Sequence, residues 1–314
     1  MNETINIFSV ADDNFAPYCG IMLTSVFENN KNHSFNVFIL VNQLFKKNNA
    51  DKYHKLERKY GHKIEFVIVD DSVFKKHINQ EGSRWVIATY YKLLVGSLPD
   101  TIHKVLYLDG DIIVTGDLSE LWNTDIDYFA LAAIPDVRLN DGPKRFRYPV
   151  EAGYFNGGVY LINLDYWRKN NMGQRCLSFL EENSDKIELE DQDIMNAFFW
   201  DKKIFLPLTY NYQILYLTNT IFNSQTPERQ KEILETYNSP CIIHYGYCVK
   251  PWCVNYTRMP FYKEWKKYKK KSPWFYMLPT LPKRKKINWL IKLFVLVPLG
   301  IIKYDTGFIQ VKTK

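Results

Sequence analysis

Through the first 135 positions, short apolar runs alternate with longer stretches whose apolar residues recur every three or four places. The runs Ile5 to Ala11, Phe35 to Val41, Ile64 to Val69, Lys104 to Leu108 and Phe129 to Ile134 have the length and bounding of strands. Between them, Ala16 to Asn30 and Phe45 to Tyr60 read as helices. This alternation predicts βαβ units, hence an α/β fold with a Rossmann-like, mainly parallel sheet flanked by helices. The same domain continues through a Gly-rich strand (Tyr154 to Asn163), an amphipathic stretch (Leu164 to Asn183) and a strand at Cys241 to Tyr245. No internal repeat or low-complexity linker interrupts the chain before the Lys-rich run Lys263 to Lys271. The expected division is a domain over 1–262 and a partly helical C-terminal segment over 263–314.

In open α/β sheets ligands bind beyond the carboxyl ends of the strands, and two such ends carry short polar side chains. Ala11-Asp12-Asp13-Asn14 follows the first strand, where it suits the base and ribose of a nucleotide or caps the next helix. Asp109-Gly110-Asp111 follows Lys104 to Leu108. In an extended chain residues i and i+2 share a face, so both carboxylates can approach one Mn²⁺ or Mg²⁺ ion, and Gly110 leaves room for it. A solvated Asp-Gly turn is the competing reading. The strand ending at His244 is followed by Lys250, an imidazole for a metal and an ammonium for a phosphate. Cys241, His244, Cys248 and Cys253 match no paired zinc spacing. Asn156-Gly157-Gly158 permits close backbone approach by a ligand or marks a bulge. Asp191-Gln192-Asp193 suits sugar hydroxyls or the dipole of a helix start. The chain has neither a Gly-x-Gly-x-x-Gly fingerprint nor a P-loop, so a bound pyrophosphate must rely on metal and basic side chains.

Composition adds limits. With 314 residues, 46% apolar and 24% charged, the chain is globular, which excludes disordered, collagenous and coiled-coil classes. An aromatic content of 16% leaves room for sugar or membrane contacts. The net charge of +7 is a tail property: residues 1–257 carry −6 and residues 258–314 carry +13. Five cysteines and an N-terminus without a basic and apolar leader point to a reducing, cytoplasmic setting. Ile287 to Ile302, broken by Asn288, Lys292 and Pro298, is too short to span a bilayer. Beside Lys283 to Lys286 and Trp289 it suits the anionic inner face of the plasma membrane, and no recognition motif accompanies the charge to suggest nucleic acid.

In this order the segments resemble glycosyltransferase family 8, which includes bacterial lipooligosaccharide galactosyltransferases and glycogenin. The carriers are Ala11 to Asn14, Leu106 to Asp111, Tyr154 to Val159, Asp191 to Asn196 and His244 to Trp252, and the resemblance covers about residues 4–265. It implies a GT-A fold, a UDP-hexose donor (galactose or glucose), retention at the anomeric carbon, a glycan or lipid-linked saccharide acceptor in surface-glycan synthesis, and manganese. It further implies Asp109, Asp111 and His244 as metal ligands; Val10, Ala11, Asp12 and Asn14 as nucleoside contacts, with Gly110 beside them; Lys250 on the diphosphate; Lys92 reaching the donor; and Asp136, Asn156, Gly157, Asp191 and Gln192 around the sugar and reacting centre. Two positions depart from the family pattern. Lys92 stands where an arginine is common, and Gly246-Tyr247 reverses the order that puts glycine three residues after the histidine. A sugar nucleotidyltransferase and a non-catalytic nucleotide-sugar or membrane-binding module are the alternatives; the absent Gly-rich loop argues against the first.

Overall fold

The computed structural model describes residues 4–75, 87–138, 141–247, 250–253, 259–280, 307–309 and 311. Its strands are β1 (Ile5–Val10), β2 (Phe35–Asn42), β3 (Lys63–Val69), β4 (Lys104–Leu108), β5 (Ile112–Val114), β6 (Leu131–Pro135), β7 (Phe155–Asn163), β8 (Lys203–Phe205), β9 (Tyr212–Gln213) and β10 (Ile242–His244). Helices α1 (Ala16–Asn29) and α2 (Lys47–Tyr60) cross over between the first three strands. Seven strands form one sheet in the order β3-β2-β1-β4-β7-β6-β8. β3, β2, β1 and β4 run parallel, β7 lies antiparallel between β4 and β6, and β8 is parallel to β6. A second sheet, β5-β10-β9, holds β10 antiparallel to β5 and parallel to β9.

The continuous apolar character of β1 and β4 follows from burial on both faces. Ile7, Leu106 and Leu108 join α1 and α2 in one core, while Phe8, Val105 and Tyr107 face the opposite core with the helices Met172–Glu182 and Glu190–Phe199. Helix α1 is itself buried on both sides, against the sheet through Cys19 and Met22 and against Trp265 and Tyr268 through Tyr18 and Ile21.

Three local expectations change. The apolar run Lys104 to Val114 is two strands in different sheets, so Asp109-Gly110-Asp111 is the turn between them and not part of an extended strand. Leu164 to Asn183 splits into Leu164–Lys169 and Met172–Glu182 at Asn171, whose φ of 50° is a left-handed conformation that asparagine tolerates. The Lys-rich run is the helix Tyr262–Lys271, packed on α1 by its buried Trp265 and Tyr268. Tyr268 Oη accepts from Asn29 Nδ2 at 2.7 Å, and Lys271 pairs with Glu28. Trp274 beyond it fills the space a side chain at Gly20 would take: a Cβ there would lie 2.0 Å from the indole. The helix Tyr262–Lys271 and Trp274 are thus docked on the domain, while Lys283 to Lys286 and Ile287 to Ile302 lie outside the described residues. No helix among the described residues is long and apolar enough to cross a membrane.

Candidate active site

Because β7 is antiparallel to β4, its first residues lie at the same sheet edge as the end of β4, with Leu108 opposite Val159 and Asp109 N donating to Gly158 O at 3.0 Å. The end of β1 opens at that edge too, and β10 brings His244 to it beside Ile112. A cleft of about 600 Å³ results. Val10, Asp12, Asn14, Lys92, Asp109, Gly110, Asp111, Asn156, Gly157, Asp191, Gln192, His244 and Lys250 all line it. Two expected contacts do not. Ala11 is buried in the core beneath the strand end, and Asp136 lies behind the wall with its side chain fully buried.

Asp109, Asp111 and His244 place one ligand atom each within 4.8 Å of one another, the only such group of three or more His, Cys, Asp or Glu among the described residues. His244 Nε2 lies 3.3 Å from Asp111 Oδ1 and 3.8 Å from Asp109 Oδ2. His244 Nδ1 is 2.9 Å from Asn211 Oδ1; Asn211 in turn donates from Nδ2 to Asn156 Oδ1 at 2.9 Å. With its amide so oriented, Asn211 accepts the Nδ1 proton and leaves the Nε2 lone pair facing the two carboxylates, the tautomer a metal ligand needs. Two carboxylates and an imidazole fit a divalent cation such as Mn²⁺. The glycines of β7 line the cleft and also admit protein side chains: a Cβ on Gly158 would sit 2.3 Å from the His244 ring, and one on Gly157 would sit 3.1 Å from Gln192 Oε1.

Lys92, on the 3₁₀ helix Ile87–Ser97, is buried with its ammonium 2.8 Å from Asp191 Oδ2, 3.4 Å from Asp109 Oδ1, and donating to Gly157 O at 3.0 Å. Burial alone would depress its pKa, but Asp109 and Asp191 outweigh it and hold it above the usual range. Burial pushes the Asp191 carboxyl up to about 7 against the pull of Lys92, with Asp109 and Glu190 adding to the rise. Asp111 moves the other way: burial would raise it, yet Lys250 and His244 keep it well below the carboxylate range. Lys250 pairs directly with Asp111, and Tyr107 donates its hydroxyl to Asp109.

Gln192 is held at both ends, Oε1 accepting from Gly157 N at 2.7 Å and Nε2 donating to Asp136 Oδ2 at 3.0 Å. Asp193, by contrast, is structural: it accepts from Arg145, Tyr154 and the backbone of Glu188 and Leu189. Asp12 also serves its own turn, its Oδ1 accepting from Phe15 N at 2.7 Å while the residue borders the cleft. The cysteines do not gather: Cys241 bonds Asp117 O, Cys253 lies against Thr280, and Cys248 is outside the described residues. Asn211, Arg138, Tyr107 and Glu190 were not singled out from sequence. The signal for Asn211 is the pair of amides, Asn211 and Gln213, inside the otherwise mostly apolar and aromatic run Leu208 to Leu217.

Residues 6–255 match the profile of Glycosyl transferase family 8. The chain belongs to this family. It is 29% identical over 277 residues to General stress protein A of Bacillus subtilis, which covers 87% of this chain and 96% of that protein. It is 28% identical to a lipopolysaccharide 1,2-glucosyltransferase of Escherichia coli, covering 83% of this chain and 77% of that one. A lipopolysaccharide 1,3-galactosyltransferase of Salmonella typhimurium is 26% identical, covering 87% and 80%. Among solved structures, the galactosyltransferase LgtC in complex with donor and acceptor sugar analogs superposes with a TM-score of 0.75 at 25% identity, over 92% of this chain and all of that one. The glycosyltransferase and GT-A assignments read from the sequence therefore stand.

Proposed function

We propose that the protein transfers a hexose, galactose or glucose, from a UDP-sugar to a glycan or lipid-linked saccharide with retention of configuration, in the synthesis of a surface glycan. The observation that carries this reading is the convergence of Asp109, Asp111 and His244 with Lys250, Asp191 and Gln192 in one cleft. The names of the lipopolysaccharide glucosyl- and galactosyltransferase relatives support the substrate class.

In this reading Val10, Asp12 and Asn14 border the nucleoside, and Lys250 turns from Asp111 to the diphosphate. A divalent cation held by Asp109, Asp111 and His244, Mn²⁺ by expectation, supplies positive charge for the leaving group. The Lys92 ammonium keeps Asp191 able to ionise in its buried place, so that the carboxylate orients sugar hydroxyls as an acceptor of hydrogen bonds. Gln192 is a poor nucleophile, and Asp191 is engaged by Lys92. A front-face route follows: the anomeric C–O bond breaks with its electron pair leaving on the phosphate, the acceptor oxygen bonds to the same face, and its proton passes to the departing phosphate oxygen. A trapped glycosyl adduct on Asp191 would overturn this route.

The test is UDP release from a panel of UDP-hexoses with Mn²⁺ and with chelator, for wild type and Asp111→Ala. Metal-dependent release by wild type alone supports the reading; binding without turnover, even with membrane extract as acceptor, favours a binding module. We also place the protein in the cytoplasm at the inner membrane face. Reversing the charge of Lys283, Arg284, Lys285 and Lys286 should move it to the soluble fraction, and unchanged fractionation would refute the membrane role.

A further inference from the structure

Tyr247 is held at a φ of 52°, a left-handed conformation unusual for a residue with a large side chain and one that the family pattern fills with glycine. Such a conformation persists only where surrounding contacts over-determine it. Here they do. The Tyr247 hydroxyl donates to Asp136, at 2.8 Å from Oδ2 and 3.0 Å from Oδ1, and the Arg138 guanidinium lies 3.7 Å from the centre of its ring. Asp136 Oδ2 also accepts from Gln192 Nε2 and Asn156 Nδ2, each at 3.0 Å, and Asn156 leads through Asn211 to His244. His244 precedes Tyr247 by three residues. The hydroxyl thereby closes a ring that runs from Tyr247 through Asp136, Asn156 and Asn211 to His244 and back along the chain, with Gln192 hung from its one carboxylate.

We propose that Tyr247 is a positioning residue for the sugar-facing amide of Gln192, acting through Asp136, and that it ties this amide to the metal ligand His244. The role rests on the transferase reading given above. A fixed carboxylate leaves the Gln192 amide one orientation, with Oε1 on Gly157 N. Without the hydroxyl, Asp136 keeps its bonds from Arg138 N at 2.8 Å and Asn156 Nδ2 at 3.0 Å but can tilt about them toward the Arg138 guanidinium, whose Nε is 3.8 Å from Oδ1, and loosen its hold on Nε2. The sugar increment of donor binding and the chemical step then suffer, while the grip on UDP does not.

The experiment compares wild type, Tyr247→Phe, Gln192→Ala and the double variant. Calorimetry with Mn²⁺ gives the affinities for UDP and for the UDP-hexose that wild type turns over fastest; steady-state assays give kcat and KM. Tyr247→Phe should lower kcat about tenfold, the scale of one hydrogen bond to a charged group, with UDP affinity within about twofold of wild type. The double variant should be no worse than Gln192→Ala, the non-additivity expected of residues acting as a unit. Tyr247→Gly relieves the backbone strain but also removes the hydroxyl and the ring beneath Arg138, so its kcat should fall at least as far as that of Tyr247→Phe. Wild-type kcat in Tyr247→Phe, or losses that add fully in the double variant, would overturn the proposal. Wild-type protein that neither binds nor turns over any UDP-hexose would refute the transferase reading itself, and this role with it.

Discussion

Replacing Gly158 by alanine tests the metal site through one methyl group. The new Cβ would lie 2.3 Å from His244 Cε1 and 2.7 Å from Nδ1, whereas ordinary contact begins at 3.4 Å. The imidazole must therefore retreat by about 1 Å, several times the ~0.2 Å tolerance of a metal–ligand distance. It cannot pivot freely, because Nδ1 is held 2.9 Å from buried Asn211 and the ring packs inside a wall formed by β7. Overpacking should cost about 1–3 kcal/mol of stability. The larger effect falls on metal affinity, which should drop about 10–100-fold, the scale of a ligand held out of its orientation. The assay is Mn²⁺ titration in the presence of UDP by calorimetry, with urea unfolding of the metal-free protein as the stability control. A Gly158→Ala protein that binds Mn²⁺ and UDP as wild type does would refute the assignment of His244 to the metal shell.

Other consequences follow from the same geometry. Asn211→Leu removes the acceptor that sets the His244 tautomer and should raise the Mn²⁺ concentration for half-maximal activity about 10–100-fold, with turnover recovering at high metal. Asp191 titrates at about 7 and is proposed to work ionised, so kcat/KM should rise with pH through neutrality; Lys92 pulls that value down, so Lys92→Gln should move the rising limb to higher pH in a kcat/KM profile. Trp274→Ala should destabilise the whole domain by about 3–5 kcal/mol in urea unfolding, since the indole fills the groove above Gly20 beside Tyr53.

The strands of the main sheet were legible because β1, β2 and β4 are buried on both faces and so read as unbroken apolar runs. The metal group was legible from its positions after strands together with the family resemblance. Asp109 and Asp111 do not share a strand face, as the apolar run suggests: a turn between two sheets brings them together, and a local pattern does not reveal that β5 leaves the sheet of β4. The β7 glycines also admit His244 and Gln192, a close approach that the sequence does not show because these residues are far away along the chain. Asn211 escaped notice because its partners, His244 and Asn156, meet it only in the fold. Lysine density dominates the pattern of Lys263 to Lys271 and hides Trp265 and Tyr268, the i and i+3 anchors of a helix docked on α1.

The most direct test of the central claim is to follow a UDP-α-hexose with the protein, Mn²⁺ and a saccharide acceptor by proton NMR, reading the anomeric signal of the new linkage. Metal-dependent loss of donor, release of UDP and an α-linked product are expected. A β-linked product would contradict retention at this site, and a donor left intact with every UDP-hexose and acceptor tried would contradict the transferase assignment.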